Sequence, residues 1–143
     1  MAGIENSDAL TAIFGRWPSF HDSEILSVRL DRHGHDAFRG STLEADIHVF
    51  EITSEVDGRG YFVLRNHTFV TLRFLQIDEL RLDGFNCQNA LFDLEIIYVT
   101  DRQLEDVKFE VHFRPSFGAG IDFLCKAIAV VQACAYDSSS RSE

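Results

Sequence analysis

The strongest constraint on this chain is a period of two. Val107, Phe109, Val111 and Phe113 alternate with Lys108, Glu110, His112 and Arg114. Successive side chains of a β-strand point to opposite faces, so such a run has one face to bury and one to wet. The same alternation occurs in Leu26, Val28 and Leu30 against Ser27, Arg29 and Asp31. It recurs in Leu43, Ala45, Ile47 and Val49 against Glu44, Asp46 and His48, and in Val70, Leu72 and Phe74 against Phe69, Thr71 and Arg73. Glu79–Asp83 and Leu91–Val99 add two more strands, the second with Phe92, Leu94, Ile96 and Tyr98 on one face. Turn residues separate the runs. Asp57-Gly58-Arg59-Gly60 predicts a hairpin turn, and Arg32-His33-Gly34-His35-Asp36 a loop. Pro115 is expected to stop the strand before it, because proline cannot donate to a ladder.

Two segments depart from this pattern. Leu10, Ile13 and Phe14 share a helical face, with Asn6 or Ser7 placed to cap the start and Gly15 to end the helix. Ile121–Tyr136 mixes alanines, which suit a helix, with valines and isoleucines, which suit strands. Apolar residues fill nearly every position from Ala127 to Val131, which favours a strand and leaves a terminal helix as the second choice. The expected fold is therefore α+β and predominantly antiparallel, a single sheet or sandwich with one short N-terminal helix. Residues 1–136 form one domain in this reading, and 137–143, rich in serine, a disordered tail.

Thirteen phenylalanines give a chain of 143 residues enough bulk for a core without staples. Charge then narrows the function classes. Thirteen basic against 23 acidic residues leave a net charge of −10, which argues against nucleic acid and anionic lipid as partners and favours a basic protein or mere solubility. Cys87, Cys125 and Cys134 have neither the number nor the spacing of a disulfide framework or a zinc site. The N-terminal residues lack the basic and apolar regions of a signal peptide, and no stretch is long and apolar enough for a membrane span. The expectation is a soluble, cytoplasmic protein.

The richest stretch chemically is Gly15-Arg16-Trp17-Pro18-Ser19-Phe20-His21-Asp22-Ser23-Glu24. It holds the only tryptophan, one of two prolines and a His–Asp pair, at the point where helix gives way to strand. A histidine beside carboxylates can act as a general base or a metal ligand. On an extended segment, however, His21 and Asp22 would point to opposite faces, while Asp22 and Glu24 would share one. Trp17, His21, Asp22 and Glu24 are thus candidates for an exposed recognition edge. The alternative is structural, with Trp17 and Phe20 packed inward and Asp22 bonded to backbone amides at the junction.

Other constellations carry less. His33, His35, His48, His67 and His112 read as isolated solvent-facing residues, since no HExxH spacing joins them. Cys87 lacks a neighbouring base, and Asn86, Gln88 and Asn89 are expected to bond loop backbone. Gly118-Ala119-Gly120 lacks the lysine of a phosphate loop. No catalytic residue, metal or cofactor is assigned. Acidic residues gather at Glu44, Asp46, Glu51, Glu55 and Asp57, at Asp78, Glu79 and Asp83, and at Asp101, Glu105 and Asp106. Such faces are solvated or steer a basic partner.

The run Phe14-Gly15-Arg16-Trp17-Pro18-Ser19-Phe20-His21-Asp22-Ser23-Glu24-Ile25 resembles the start of the Imm50 family of bacterial immunity proteins, small proteins held to neutralise polymorphic toxins. Similar text continues in Val70–Phe74, Glu79–Leu82 and Phe85–Phe92, and the resemblance spans Leu10 to Tyr136. It implies a non-enzymatic protein that binds and blocks a cognate toxin, and it brings no catalytic residues with it. Two readings compete with it. One is a metal-dependent or acid–base enzyme using His21, Asp22 and Glu24. The other is a β module holding a small ligand between sheets. Exposed strand edges also permit a homodimer.

Overall fold

A computed structural model describes residues 3–33, 40–99 and 108–136. Its elements run β1 (Ile4–Glu5), α1 (Asp8–Phe14), β2 (Glu24–Asp31), β3 (Thr42–Val56), β4 (Phe62–Leu75), β5 (Asp78–Asp83), β6 (Ala90–Tyr98), β7 (Phe109–Phe117), β8 (Gly120–Cys125) and β9 (Ala127–Ala135). The nine strands make a single sheet in the order β1-β9-β4-β3-β2-β6-β7-β8-β5. All pairs are antiparallel except the short β1–β9 contact. The predominantly antiparallel expectation thus holds, as one sheet rather than a sandwich of two. Val107 and the segments around His35 and Glu105 lie outside the described residues, as does the 137–143 tail.

Helix α1 ends as expected. Gly15 takes a left-handed φ of 77°, and its N–H bonds Thr11 O at 2.8 Å. Ser7 occupies the N-cap position but makes no side-chain capping bond. Leu10 plugs fully into the core from the helix.

Two features let one sheet enclose a core. First, β2 and β6 pair in register only at Glu24 and Ala90, flanked by Ile25 N–H to Asn89 O at 2.9 Å and Leu91 N–H to Ser23 O at 2.8 Å. This short joint splits the sheet into a limb of β1, β9, β4, β3 and β2 and a limb of β6, β7, β8 and β5. Second, β4–β9 and β5–β8 are ladders on the same two stretches of chain, interrupted at Gln76–Ile77 and at Lys126. The sheet bends there, with Gln76 at φ 52° and Lys126 N–H bonded to Leu75 O at 2.9 Å. The limbs consequently face each other. Phe74 of β4 meets Phe113 and Phe123 edge-on, at ring separations of 5.8 and 4.9 Å. The phenylalanine-rich composition fills this space.

The stretch Ile121–Tyr136 is strand, in two pieces, as the β-branched residues favoured. The expectation for Pro115 needs correction. β7 runs through it to Phe117, because Pro115 lies opposite Leu91 at a register shift where the ladder does not need its missing N–H. The return to β8 is tight. Gly118 has φ 84°, and a Cβ there would sit 2.6 Å from Asn89 Oδ1.

The β3–β4 hairpin outruns its neighbours. β2 pairs β3 only as far as His48, and β9 pairs β4 only from Thr68. Among the described residues, Phe50–Val56 and Phe62–Asn66 therefore pair only with each other, forming a two-stranded arm about 20 Å long at a rise of ~3.3 Å per residue.

Candidate functional site

The junction after α1 is built by strain and packing together. Trp17 is half-buried against Phe20 at 5.6 Å, and Phe20 is 2% exposed. Phe20 and Asp22 both have left-handed φ, 60° and 66°. A buried aromatic rarely adopts this region, so the surrounding packing must hold it there. Asp22 is fixed by its N–H to Leu91 O at 2.9 Å, and His21 N–H reaches Ser19 Oγ at 3.2 Å.

These two kinks correct the expectation that His21 and Asp22 diverge. The segment is a turn, and His21 Nε2 lies 3.6 Å from Asp22 Oδ2. His21 Nδ1 is 2.8 Å from the carbonyl oxygen of Phe92, so Nδ1 carries the proton and donates. A neutral His21 then keeps its lone pair on Nε2, beside Asp22. Its ring also stands edge-on to Phe92 at 5.5 Å. Both His21 and Asp22 are exposed.

Glu24 does not join them. Its Oε1 accepts from Asn89 N–H at 3.0 Å, which ties β2 to the 85–90 loop. Asn89 is buried and is the hub of that loop. Its Oδ1 accepts from Asn86 N–H at 3.0 Å and Ala119 N–H at 3.1 Å, and its Nδ2 donates to Asn86 O at 2.7 Å. The expectation that Asn86 and Asn89 serve loop backbone holds. Of the four candidate residues, the turn brings together His21 and Asp22, while Trp17 and Glu24 are tied into the scaffold.

Of this pair, His21 lines a shallow recess of about 160 Å³, with Phe14, Arg16, Pro18, Ser19, Phe50, Glu51 and Ile52 around it. One wall is the junction and the other is the root of the arm. No spacing in the sequence links positions 16–21 with 50–52, because their adjacency depends on β3 outrunning β2.

Three further histidines, His48, His67 and His112, are not isolated, contrary to the expectation from spacing, while His35 lies outside the described residues. His48 Nε2 lies 2.9 Å from His67 Nδ1, and their rings gather with Phe50 and Tyr136 at the root of the arm. Burial, reinforced by the neighbouring His67, holds His48 below the ordinary histidine pKa. His112 lies between two carboxylates, Nδ1 to Asp122 Oδ1 at 2.6 Å and Nε2 to Glu110 Oε1 at 2.9 Å. Burial alone would lower its pKa, but the hydrogen bonds to Asp122 and then Glu110 outweigh burial and raise it. When protonated, His112 donates from both nitrogens as an imidazolium strut and then has no lone pair to offer as a base. Among the described residues, no group of three or more histidine, cysteine or acidic side chains is arranged to hold a metal. Burial pushes the Cys125 thiol up to about 12, which removes it as a nucleophile near neutrality.

The acidic hairpin region also differs from expectation. Glu44 and Asp46 are largely neutralised by arginines. Arg29 bonds both, Arg73 bonds Glu44 at 2.6 Å, and Ser27 and Thr71 donate to Asp46 at 2.6 and 2.7 Å. Burial would raise the Asp46 pKa, but the bonds from Arg29, Ser27 and Thr71 win and hold it below the usual range. Asp22, Asp57, Asp78, Glu79 and Asp83 remain exposed, and 101–106 lies outside the described residues.

Taken together, the fold and site are those of a β-rich protein that presents a shallow, mixed surface beside a projecting arm. Among the described residues, no helix is long and apolar enough to cross a membrane. The family model of Immunity protein 50, Imm50, matches residues 6–136, and the chain belongs to that family. No curated protein and no solved structure matches it. Membership carries a toxin-immunity role, implies a toxin as partner and suggests a non-enzymatic protein.

Proposed function

We propose that this chain neutralises a cognate bacterial toxin in the cytoplasm by binding it and covering its working surface, without chemistry of its own. The family match over residues 6–136 carries this reading. The net charge of −10 supports a basic toxin, since an acidic surface speeds encounter with a cationic partner and repels other acidic proteins. His21 and Asp22 form the polar contact, exposed beside the recess, and Trp17 and Glu24 hold the turn in shape. The turn supports this division of labour. Two non-glycine residues kept at positive φ cost roughly 1–3 kcal/mol each, a cost suited to presenting a side chain.

The enzyme reading loses its third group, because Glu24 is occupied by the Asn89 amide. The reading of a ligand between sheets fits poorly with limbs whose facing surfaces are filled by Phe74, Phe113 and Phe123.

The test is binding to candidate toxin domains drawn from the reading frames next to this gene. The His21→Ala/Asp22→Asn pair is expected to weaken binding by at least about tenfold, roughly 1.4 kcal/mol, with an unchanged melting temperature. Unchanged affinity would remove the junction from the interface.

A further inference from the structure

The arm carries a feature that the junction does not explain. Directly opposed residues of an antiparallel pair share a face, as do residues two apart on one strand. Ile52 lies opposite Leu64, and Val56 opposite Phe62. Phe62 and Leu64 are two apart on β4, so all four side chains lie on one face of the arm. They are 45%, 41%, 58% and 60% exposed, and Tyr61 at the tip is 69% exposed. The other face carries Val63 and most of the arm's paired polar side chains. Arg65 pairs with Glu55 at 3.1 Å, Glu51 accepts from Asn66, and Thr53 donates to Val63 O at 2.7 Å.

A projecting two-stranded hairpin is marginal by itself and gains nothing from displaying its apolar face to water. The root of this one is nonetheless stiffened by His48, Phe50, His67 and Tyr136. Rigid support under an exposed apolar face of a few hundred Å² is what an interaction surface requires.

We infer that this arm is a docking finger whose Ile52–Val56–Phe62–Leu64 face inserts into an apolar-lined, cationic-rimmed cleft of the toxin. The inference rests on the immunity reading and names the surface and partner chemistry for it. Area and charge select a foreign partner over a second copy of the chain. Two such faces stacked together bury well under the roughly 1,600 Å² of a standard stable interface. Two copies at −10 each also repel. A cleft, by contrast, covers the arm on both faces and continues over the recess at its root, where Ile52 and His21 line the same hollow.

The experiment uses the full chain and candidate toxin domains drawn from the reading frames next to this gene, with affinity read by calorimetry and mass by light scattering. Val56→Ser/Phe62→Ser is compared with Leu82→Ser, an exposed apolar residue on β5. If the double variant destabilises the hairpin, Phe62→Ser alone gives the reading. The arm proposal expects a 1:1 complex, a loss of at least about 30-fold for the arm variants and less than about threefold for Leu82→Ser. Arm variants that bind like the parent overturn the finger and leave the immunity reading standing. A parent dimer dissociated by Phe62→Ser assigns the face to a second copy and also overturns it. A parent that binds no toxin overturns both.

Discussion

Asp22 separates what a residue does for the fold from what it does for a partner. Its positive φ is unfavourable for any residue with a Cβ, and its side chain approaches His21 without a short hydrogen bond. Asp22→Gly is therefore expected to leave stability unchanged or raise it by up to about 1 kcal/mol in urea denaturation, while weakening toxin binding. Asp46 is the opposite case. It is buried, and Arg29, Ser27 and Thr71 all donate to it. Asp46→Ala leaves these donors without their acceptor and should cost about 2–4 kcal/mol in the same assay.

The histidines set the pH dependence. The raised pKa of His112 means its contribution is complete below 6.5 and is lost as pH rises through the folded value. The lowered pKa of His48 works in reverse. Its contribution is complete above 6.5 and is lost as pH falls through the folded value. Thermal melts across this range should show His112→Gln flattening the alkaline side and His48→Gln the acid side. A parallel downward shift of the whole curve would contradict both assignments.

At the scale of elements, the β2–β6 joint is the weak seam and Asn89 is its fastener. One in-register pair and three backbone bonds, Ile25 to Asn89, Leu91 to Ser23 and Asp22 to Leu91, join β2 and its entry turn to β6, and Asn89 also binds Glu24, Asn86 and Ala119. Asn89→Ala should cost about 2–3 kcal/mol, because it orphans buried backbone donors. Hydrogen exchange should then speed first at Ile25 and Leu91, on either side of the seam. Exchange accelerated evenly over the sheet would mean that the joint is not a separate weak point. Gly118→Ala should destabilise comparably through its clash with residues 88–89.

Most of these elements were legible in the sequence because alternation reports directly on a half-buried strand. That is why β2, β3, β4, β6 and β7 stand where the period of two put them. The bends were not legible. Phe20 at positive φ is imposed by packing around its buried ring, and no residue type announces it. Pro115 reads as a stop until the register shift opposite Leu91 is known. The His48–His67 and His112–Asp122 pairs depend on cross-strand register, which one-dimensional spacing does not contain. Of the site, the sequence marked the residues at 17–24, while the opposite wall at 50–52 came only from the extra length of β3.

At the scale of the molecule, a rigid bent sheet, a strained turn and a projecting arm serve one task in the proposed complex. The excess of negative charge acts over the whole surface, so its signature is kinetic. Raising salt from 50 to 500 mM should slow toxin association by about tenfold or more and change dissociation little, because screening shortens the reach of the field without disturbing the buried contact. The most direct measurement is a calorimetric titration of the intact chain into candidate toxin domains drawn from the reading frames next to this gene, with toxin activity assayed in the same samples. The expected result is a saturable 1:1 complex whose formation parallels the loss of toxin activity. Absence of binding, or binding that leaves the toxin fully active, would contradict it.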